Sequence, residues 1–76
     1  MAHTGQWEVD VLVFEDAAEV TAEAVFRADT ARPVVGRGTA RLGPSATAPE
    51  VGAELATSRA LAALGQHLLE LANAEG

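Results

Sequence analysis

VVGRGTARL, residues 34–42, is the stretch of sequence that decides the fold. Its side chains alternate between two faces with the period of two that is typical of a β-strand. One face carries Val34, Gly36, Gly38, Ala40 and Leu42, and the other carries Val35, Arg37, Thr39 and Arg41. Glycine inside a strand is costly and usually marks a bulge or a second backbone lying close. The small residues on one face therefore predict a groove into which a helix settles; the alternative is a bulge at Gly38, which would invert the face of every later residue.

Two earlier segments have the same alternation. The first, residues 6–14, has one apolar face and one mixed face, on which Leu12 and Phe14 accompany acidic residues. The apolar face carries Trp7, Val9, Val11 and Val13. EDAAE, residues 15–19, is a polar connection of hairpin length, although it lacks the Asn-Gly or Asp-Gly of the tightest turns. The second strand covers residues 20–27, and residues 28–33 turn the chain into the third strand.

The rest of the chain predicts one helix over about residues 48–73. Thr47 and Glu50 have the spacing of a capping box, and Pro49 falls in the first helical turn. At ~100° per residue, the apolar face of this helix carries Leu61, Leu64, Gly65, Leu68, Leu71 and Ala72. The opposite face carries Arg59, Ala63, Gln66, His67 and Glu70. We expect Gly65 to pack near Gly36 or Gly38.

These elements predict an α+β fold, a three-stranded antiparallel sheet (β-β-β) covered on one face by a C-terminal helix. The chain of 76 residues is a single domain, with residues 1–5 as a flexible start. It has no cysteine, so disulfides and thiolate metal sites are excluded. No apolar run reaches the ~20 residues that span a bilayer, and no signal peptide is evident, so we expect a cytoplasmic protein.

The second face of the sheet is not simply polar. It carries the apolar residues Leu12, Phe14, Val25 and Val35 among its charges. Small domains without disulfides often rely on self-association, and a sheet of three strands has two free edges. These four residues therefore predict a homodimer face, whereas the alternative is a scatter of ordinary exposed apolar side chains.

The motifs VGRGTARLGP and PEVGAELATSRALAALGQHLL resemble those of a family of small uncharacterised actinobacterial proteins. The family pattern has a WxVxV opening strand, a VGxGxAR third strand and a PEIGDELAxxRAL entry to the helix. The matching positions are Trp7, Val9, Val11, Val35, Gly36, Gly38, Ala40, Arg41, Pro44, Pro49, Glu50, Gly52, Glu54, Leu55, Arg59, Ala60 and Leu61. The chain departs from the pattern at Ala53, where the family usually has Asp, and in the loop after Pro44, which lacks its usual Asp.

The resemblance implies a fold like that of double-stranded-RNA-binding domains (dsRBD-like), lacking the first helix. The family is related to proteins induced by hypoxia or dormancy, which implies a stress-response role and an association with the ribosome. Fold alone does not fix function.

The net charge of −6 disfavours non-specific binding to nucleic acids or anionic membranes. Glu50 and Glu54 at the start of the helix would repel phosphate, so RNA binding in the usual mode of that domain is disfavoured. The remaining candidate for partner binding is the stripe formed by Arg37 and Arg41, with Arg27 beside them. The alternative is that these arginines pair with nearby Glu and Asp.

Catalytic chemistry has little support in the sequence. Only His3 and His67 could exchange protons near neutral pH, and a contact of His67 with Glu70 is more often solvated than catalytic. We therefore predict a protein that is not an enzyme, with no cofactor and no metal. The first hypothesis is a homodimeric binding or stress-response protein, the second is a protein–protein adaptor that uses the open sheet face or a sheet edge, and a ligand binder using His67 comes last.

Overall fold

The computed structural model describes residues 4–28, 32–42 and 49–75. Three strands, β1 (Glu8–Glu15), β2 (Glu19–Arg27) and β3 (Val34–Arg41), form one antiparallel sheet in the order β1-β2-β3. One helix, α1 (Pro49–Glu75), packs on one face of this sheet. The predicted α+β architecture is confirmed. The helix is continuous through Gly52 and ends two residues beyond the expected position, whereas the Thr47 half of the capping box lies outside the described residues.

The hairpin between β1 and β2 depends on Asp16. Its Oδ1 accepts hydrogen bonds from the backbone N–H groups of Ala18, at 2.8 Å, and Glu19, at 2.9 Å. The N–H of Asp16 donates to the carbonyl of Glu19 at 3.0 Å. The two backbone donors stabilise the ionised carboxylate and hold the pKa of Asp16 below its ordinary value of 3.8. An aspartate side chain thus closes the turn that lacked an Asn-Gly or Asp-Gly signal.

The register of β3 is regular through both glycines. Ala22 pairs with Gly38 and Val20 pairs with Ala40, without an inserted residue between them. The alternative of a bulge at Gly38 is therefore wrong, and the faces follow the simple alternation. The face toward the helix carries the buried residues of the core: Val20, Ala22, Ala24 and Phe26 of β2 and Ala40 of β3.

The helix approaches β3 closely because the glycines leave room for its backbone. A Cβ at Gly36 would collide with backbone atoms of Ala60 and Leu64, and a Cβ at Gly38 would collide with backbone atoms of Ala56 and Ala60. The predicted groove is confirmed, but the predicted partner is wrong. Gly65 has no atom within 4 Å of its Cβ position and faces solvent.

The buried stripe of the helix consists of small residues and one leucine. Gly52, Ala56, Ala60 and Leu64 follow one another every fourth position and face the sheet. Of the predicted apolar face, Leu64 is buried, whereas Leu61 is 45% and Leu71 46% exposed. The physical reason is steric: at the glycine groove the two backbones are too close for larger side chains, so the alanines lie there.

The helix is displaced toward β3. It packs against β3 and β2 and barely contacts β1, every residue of which is exposed. With 27 residues it is about 40 Å long, whereas a strand of eight residues spans about 27 Å, so one end extends past the sheet. Within the described residues, no helix is both long and apolar enough to span a membrane.

Candidate functional site

The outer edge of β1 presents backbone groups that the sheet does not use. Leu42 N–H donates to the carbonyl of Ala18, which fixes the direction in which alternate residues of each strand point. With the observed registers, the backbone groups of Val9, Val11 and Val13 point away from β2. Within residues 4–28, 32–42 and 49–75, no side chain makes a hydrogen bond to these groups, so this edge is open.

The outer edge of β3 is covered by two side chains of the helix. The Nη1 of Arg59 donates to the carbonyl of Thr39 at 2.7 Å. The Nδ1 of His67 lies 2.9 Å from the carbonyl of Val35 and donates to it. Both carbonyls belong to residues whose backbone groups point away from β2. Two of the outward acceptors of β3 are therefore occupied, and a further strand cannot pair there without displacing these two side chains.

An apolar row lies on the helix side of β1 without a cover. Val9 is 46% exposed, Val11 41% and Val13 43%, although their register partners Phe26, Ala24 and Ala22 are buried. The helix, displaced toward β3, does not reach this row. Leu61, on the flank of the helix, adds further exposed apolar surface. The open edge of β1 thus lies beside the part of the helix-side sheet face that the helix does not cover.

The opposite sheet face holds the four residues of the predicted dimer face. Leu12 is 46% exposed, Phe14 53% and Val35 42%, so these three present contact surface. Val25 is only 8% exposed, because it lies in the central strand between its register partners Asp10 and Val35. The accessible apolar surface of this face is therefore concentrated at Leu12 and Phe14 of β1.

The arginines of the predicted stripe share this face with carboxylates. The Nε of Arg37 donates to Glu23 at 3.1 Å, and its Nη2 reaches the same carboxylate. Arg27 lies 3.8 Å from Asp10, and Arg41 is the register partner of Glu19. A nucleic acid would have to compete with these carboxylates for the guanidinium groups.

The structure gives His67 a role at the strand edge. Its Nδ1 bonds to the backbone of β3, so the ring is oriented by the sheet and not by Glu70. Among the described residues, no group of three His, Cys, Asp or Glu side chains could hold a metal ion. His3, the other candidate, lies outside the described residues.

A groove opens where the helix extends past the sheet. Trp7, 69% exposed, packs edge-on against Phe26, with ring centroids 5.2 Å apart and an interplanar angle of 74°. The walls include the apolar residues Val34, Leu68 and Leu71 and the polar residues Arg32, His67 and Glu70. The volume of this open groove is about 1040 Å³.

Sequence reasoning placed Arg59 and His67 on a solvated polar face and missed their contacts with the sheet. The spacing of Arg59 and His67 could have indicated these contacts, because side chains eight residues apart lie on one side of a helix. The spacing alone does not show that the two side chains reach the edge of β3, because the lateral position of the helix over the sheet depends on packing and not on helical periodicity. The difference between the two edges therefore emerges only in three dimensions.

Comparisons with known proteins agree with this fold. The sequence profile of the Rv2632c-like family matches residues 5–75. The crystal structure of Rv2632c, a mycobacterial protein, is similar, with 34% sequence identity and a TM-score of 0.86. The similarity covers 99% of this chain and 90% of that one. No curated protein matches the chain.

Proposed function

The chain belongs to the Rv2632c-like family, and from this premise we propose that it is a non-enzymatic binding protein that works as a homodimer joined through β1. One observation carries the proposal: the edge of β3 is covered by Arg59 and His67, whereas the edge of β1 is open. Unpaired strand edges attract further strands, and proteins usually protect the edges that must stay free. An edge left open beside an uncovered apolar row is the expected surface for a partner strand.

The residues of β1 favour pairing with a second β1 about a two-fold axis through Val11. In an antiparallel pair, facing residues lie on the same side of the sheet. The facing pairs are then Val11 with Val11, Val9 with Val13, Asp10 with Leu12, and Glu8 with Phe14 of the second copy. No acidic side chain faces another, and the six valines form one continuous row on the helix side.

The size of the exposed surface supports association. The chain exposes 5816 Å², whereas a compact monomer of its 7.8 kDa mass is expected to expose about 4400 Å². The radius of gyration is 15.1 Å, compared with about 11.4 Å expected for a compact chain of this length. Part of the difference comes from the 27-residue helix, which extends past the sheet and exposes apolar side chains there.

A charged side chain in the valine row tests the homodimer. Val11→Lys should halve the mass of the assembly in sedimentation equilibrium, since two lysines would face each other at the two-fold axis. Val35→Lys is the matched control, because Val35 is 42% exposed and Val11 41%, but Val35 lies on the covered strand. An unchanged mass for Val11→Lys, or an equal loss for Val35→Lys, would overturn the proposal.

For the partner, we propose a polypeptide that binds the open sheet face at Leu12 and Phe14. Pairing of two β1 strands would bring two copies of each residue together in one exposed apolar patch. The arginines are a weaker candidate for partner binding, because Arg37 and Arg27 lie beside carboxylates. The same balance argues against the ribosome or RNA association that the family resemblance implies.

Binding assays separate the two kinds of partner. We expect no binding of a fluorescein-labelled 20-nucleotide RNA, and no sedimentation with ribosomes even at low salt. Binding that Arg37→Ala and Arg41→Ala abolish, with the fold retained, would establish nucleic-acid recognition by the arginines; a polypeptide that binds should instead lose affinity on Leu12→Ser and Phe14→Ser. The salt dependence of any binding reports how many phosphate contacts contribute.

A further inference from the structure

The solvent side of α1 carries a second stripe, made of small and apolar residues. Its members follow one another at spacings of four, three, four, three and four residues, which is the heptad pattern of a helix–helix seam. We call it the outer stripe: Val51, Leu55, Ser58, Ala62, Gly65 and Leu69. All six are exposed, with Val51 49%, Leu55 43% and Leu69 54% accessible. We propose that the outer stripe binds the outer stripe of a second copy, antiparallel, and so joins two β1 dimers into a tetramer; the proposal rests on the homodimer proposed above.

Gly65 has no packing role within one chain. Glycine weakens an exposed helix relative to alanine, and the space around the Cβ position of Gly65 is empty. In the same molecule, Gly36 and Gly38 are the positions at which a helix backbone comes close to a strand. Ser58 and Ala62 continue the row of small residues. The outer stripe thus has the profile of a surface that another helix approaches closely.

The outer stripe is complementary to itself in the reverse direction. When two copies cross near residue 60, Leu55 of each faces Gly65 of the other, the largest residue against the smallest. The two remaining kinds of pair are Ala62 with Ser58 and Leu69 with Val51. Leu55, Ala62 and Leu69 occupy one of the two core heptad positions, and Val51, Ser58 and Gly65 occupy the other. In the pairing each residue faces a residue of the other position, as in an antiparallel coiled coil. A second copy therefore fits this surface without any change of sequence.

The two interfaces are positioned to close into one assembly. Val11 pairs with Ala24, which pairs with Gly36, so the three lie at the same level across the sheet. The Cβ position of Gly36 contacts Ala60 and Leu64, which brings the middle of the outer stripe to that level. A two-fold axis through Val11 and perpendicular to the sheet would then meet the helix–helix two-fold axis at close to a right angle. Such axes generate a closed tetramer, whereas axes that miss each other generate a filament.

Charge and area are compatible with this arrangement. The outer stripe itself contains no charged residue. Of the nearest charged side chains, Arg59 is directed to the carbonyl of Thr39 and away from the stripe. Val51, Leu55 and Leu69, each more than two-fifths exposed, supply the apolar surface that this interface would bury.

Sedimentation equilibrium of the full chain and its variants tests the proposal. We expect the wild type to have four times the chain mass of 7.8 kDa and Leu55→Glu to have half the wild-type mass. Leu71→Glu is the matched control, because Leu71 is 46% exposed but lies on the side of the helix away from the outer stripe; it should keep the full mass. Gly65→Leu should also halve the mass while its helix content is kept.

The two proposals fail separately. If Leu55→Glu and Gly65→Leu both keep the wild-type mass, the outer stripe is not an interface between copies, whatever Val11→Lys does. If Val11→Lys keeps the wild-type mass while Leu55→Glu halves it, the β1 homodimer fails and the helix pair remains. The double variant Val11→Lys, Leu55→Glu should be a monomer with the circular dichroism of a folded chain. A wild-type chain that sediments as a monomer or dimer at all concentrations would overturn the tetramer.

Discussion

Substitution of Gly38 by alanine tests the packing on which the fold depends. A Cβ at this position would lie 2.5 Å from the backbone nitrogen of Ala60 and 2.6 Å from the Cβ of Arg59. Carbon atoms in contact prefer about 3.5–4.0 Å, so the helix and β3 would have to separate by about 1 Å. The helix backbone cannot relax independently of its hydrogen bonds, and the whole helix would have to move.

The expected loss of stability follows from this geometry. Overpacking costs typically 1–3 kcal/mol, and contact with backbone atoms places Gly38→Ala near ~3 kcal/mol. The lower entropy of the unfolded chain on replacing glycine returns ~0.4–1 kcal/mol. The net loss in free energy of unfolding is therefore about 2 kcal/mol, which corresponds to a decrease in melting temperature of roughly 8–16 °C for a domain of this size.

The control is the same substitution at Gly65, where the Cβ position is empty. At a protein concentration at which the outer stripe is unpaired, Gly65→Ala should raise the free energy of unfolding by ~1 kcal/mol through helix propensity. Both variants and the wild type are to be unfolded thermally at one protein concentration, with circular dichroism as the signal, since association makes the melting temperature depend on concentration. A Gly38→Ala protein that melts as high as the wild type would refute the close packing of helix and strand.

Three further predictions follow from single contacts. Asp16→Ala should lower the urea midpoint at pH 7, and the difference from wild type should shrink as the pH falls from 3.8 through the lowered pKa of Asp16, because the contribution of the ionised carboxylate is lost there; Asp16→Asn, which retains an acceptor, should lose less. The double variant Arg59→Met, His67→Leu loses both donors to the outer carbonyls of β3, so it should aggregate faster on warming, measured by light scattering. A double variant that aggregates no faster than the wild type would contradict the protective role of these two side chains. Glu23→Gln should free Arg37 and produce binding of a labelled RNA at low salt that the wild type lacks, measured by fluorescence anisotropy; a variant that also fails to bind would mean that the ion pair is not what keeps this guanidinium group from RNA.

The alternation of side chains predicted the sheet well. The second strand was expected over residues 20–27, and β2 is Glu19–Arg27. Period-two patterns are short-range and specify which side chains share a face, so they need no tertiary information. The two glycines of the third strand also predicted the close approach of a helix, because few other arrangements explain glycine inside a strand.

The side of the helix that meets the sheet could not be predicted in the same way. Helical periodicity reported leucines on one face and polar residues on the other, but α1 is apolar on two sides. The groove at Gly36 and Gly38 has room only for small side chains, so Ala56 and Ala60 pack there. Hydrophobicity alone would instead predict that Leu61 faces the sheet. Gly65 was assigned to the same packing for its size, although it lies on the far side of the helix.

The candidate site follows from this packing. Because both glycines lie in β3, the helix settles over β3 and β2 and leaves the valine row of β1 uncovered. The same displacement brings Arg59 and His67 within hydrogen-bond distance of the outer carbonyls of β3. One steric feature thus closes one edge of the sheet and opens the other. Gly38→Ala, which forces the helix and β3 apart, should therefore loosen the contacts of Arg59 and His67 with these carbonyls as well as lower stability.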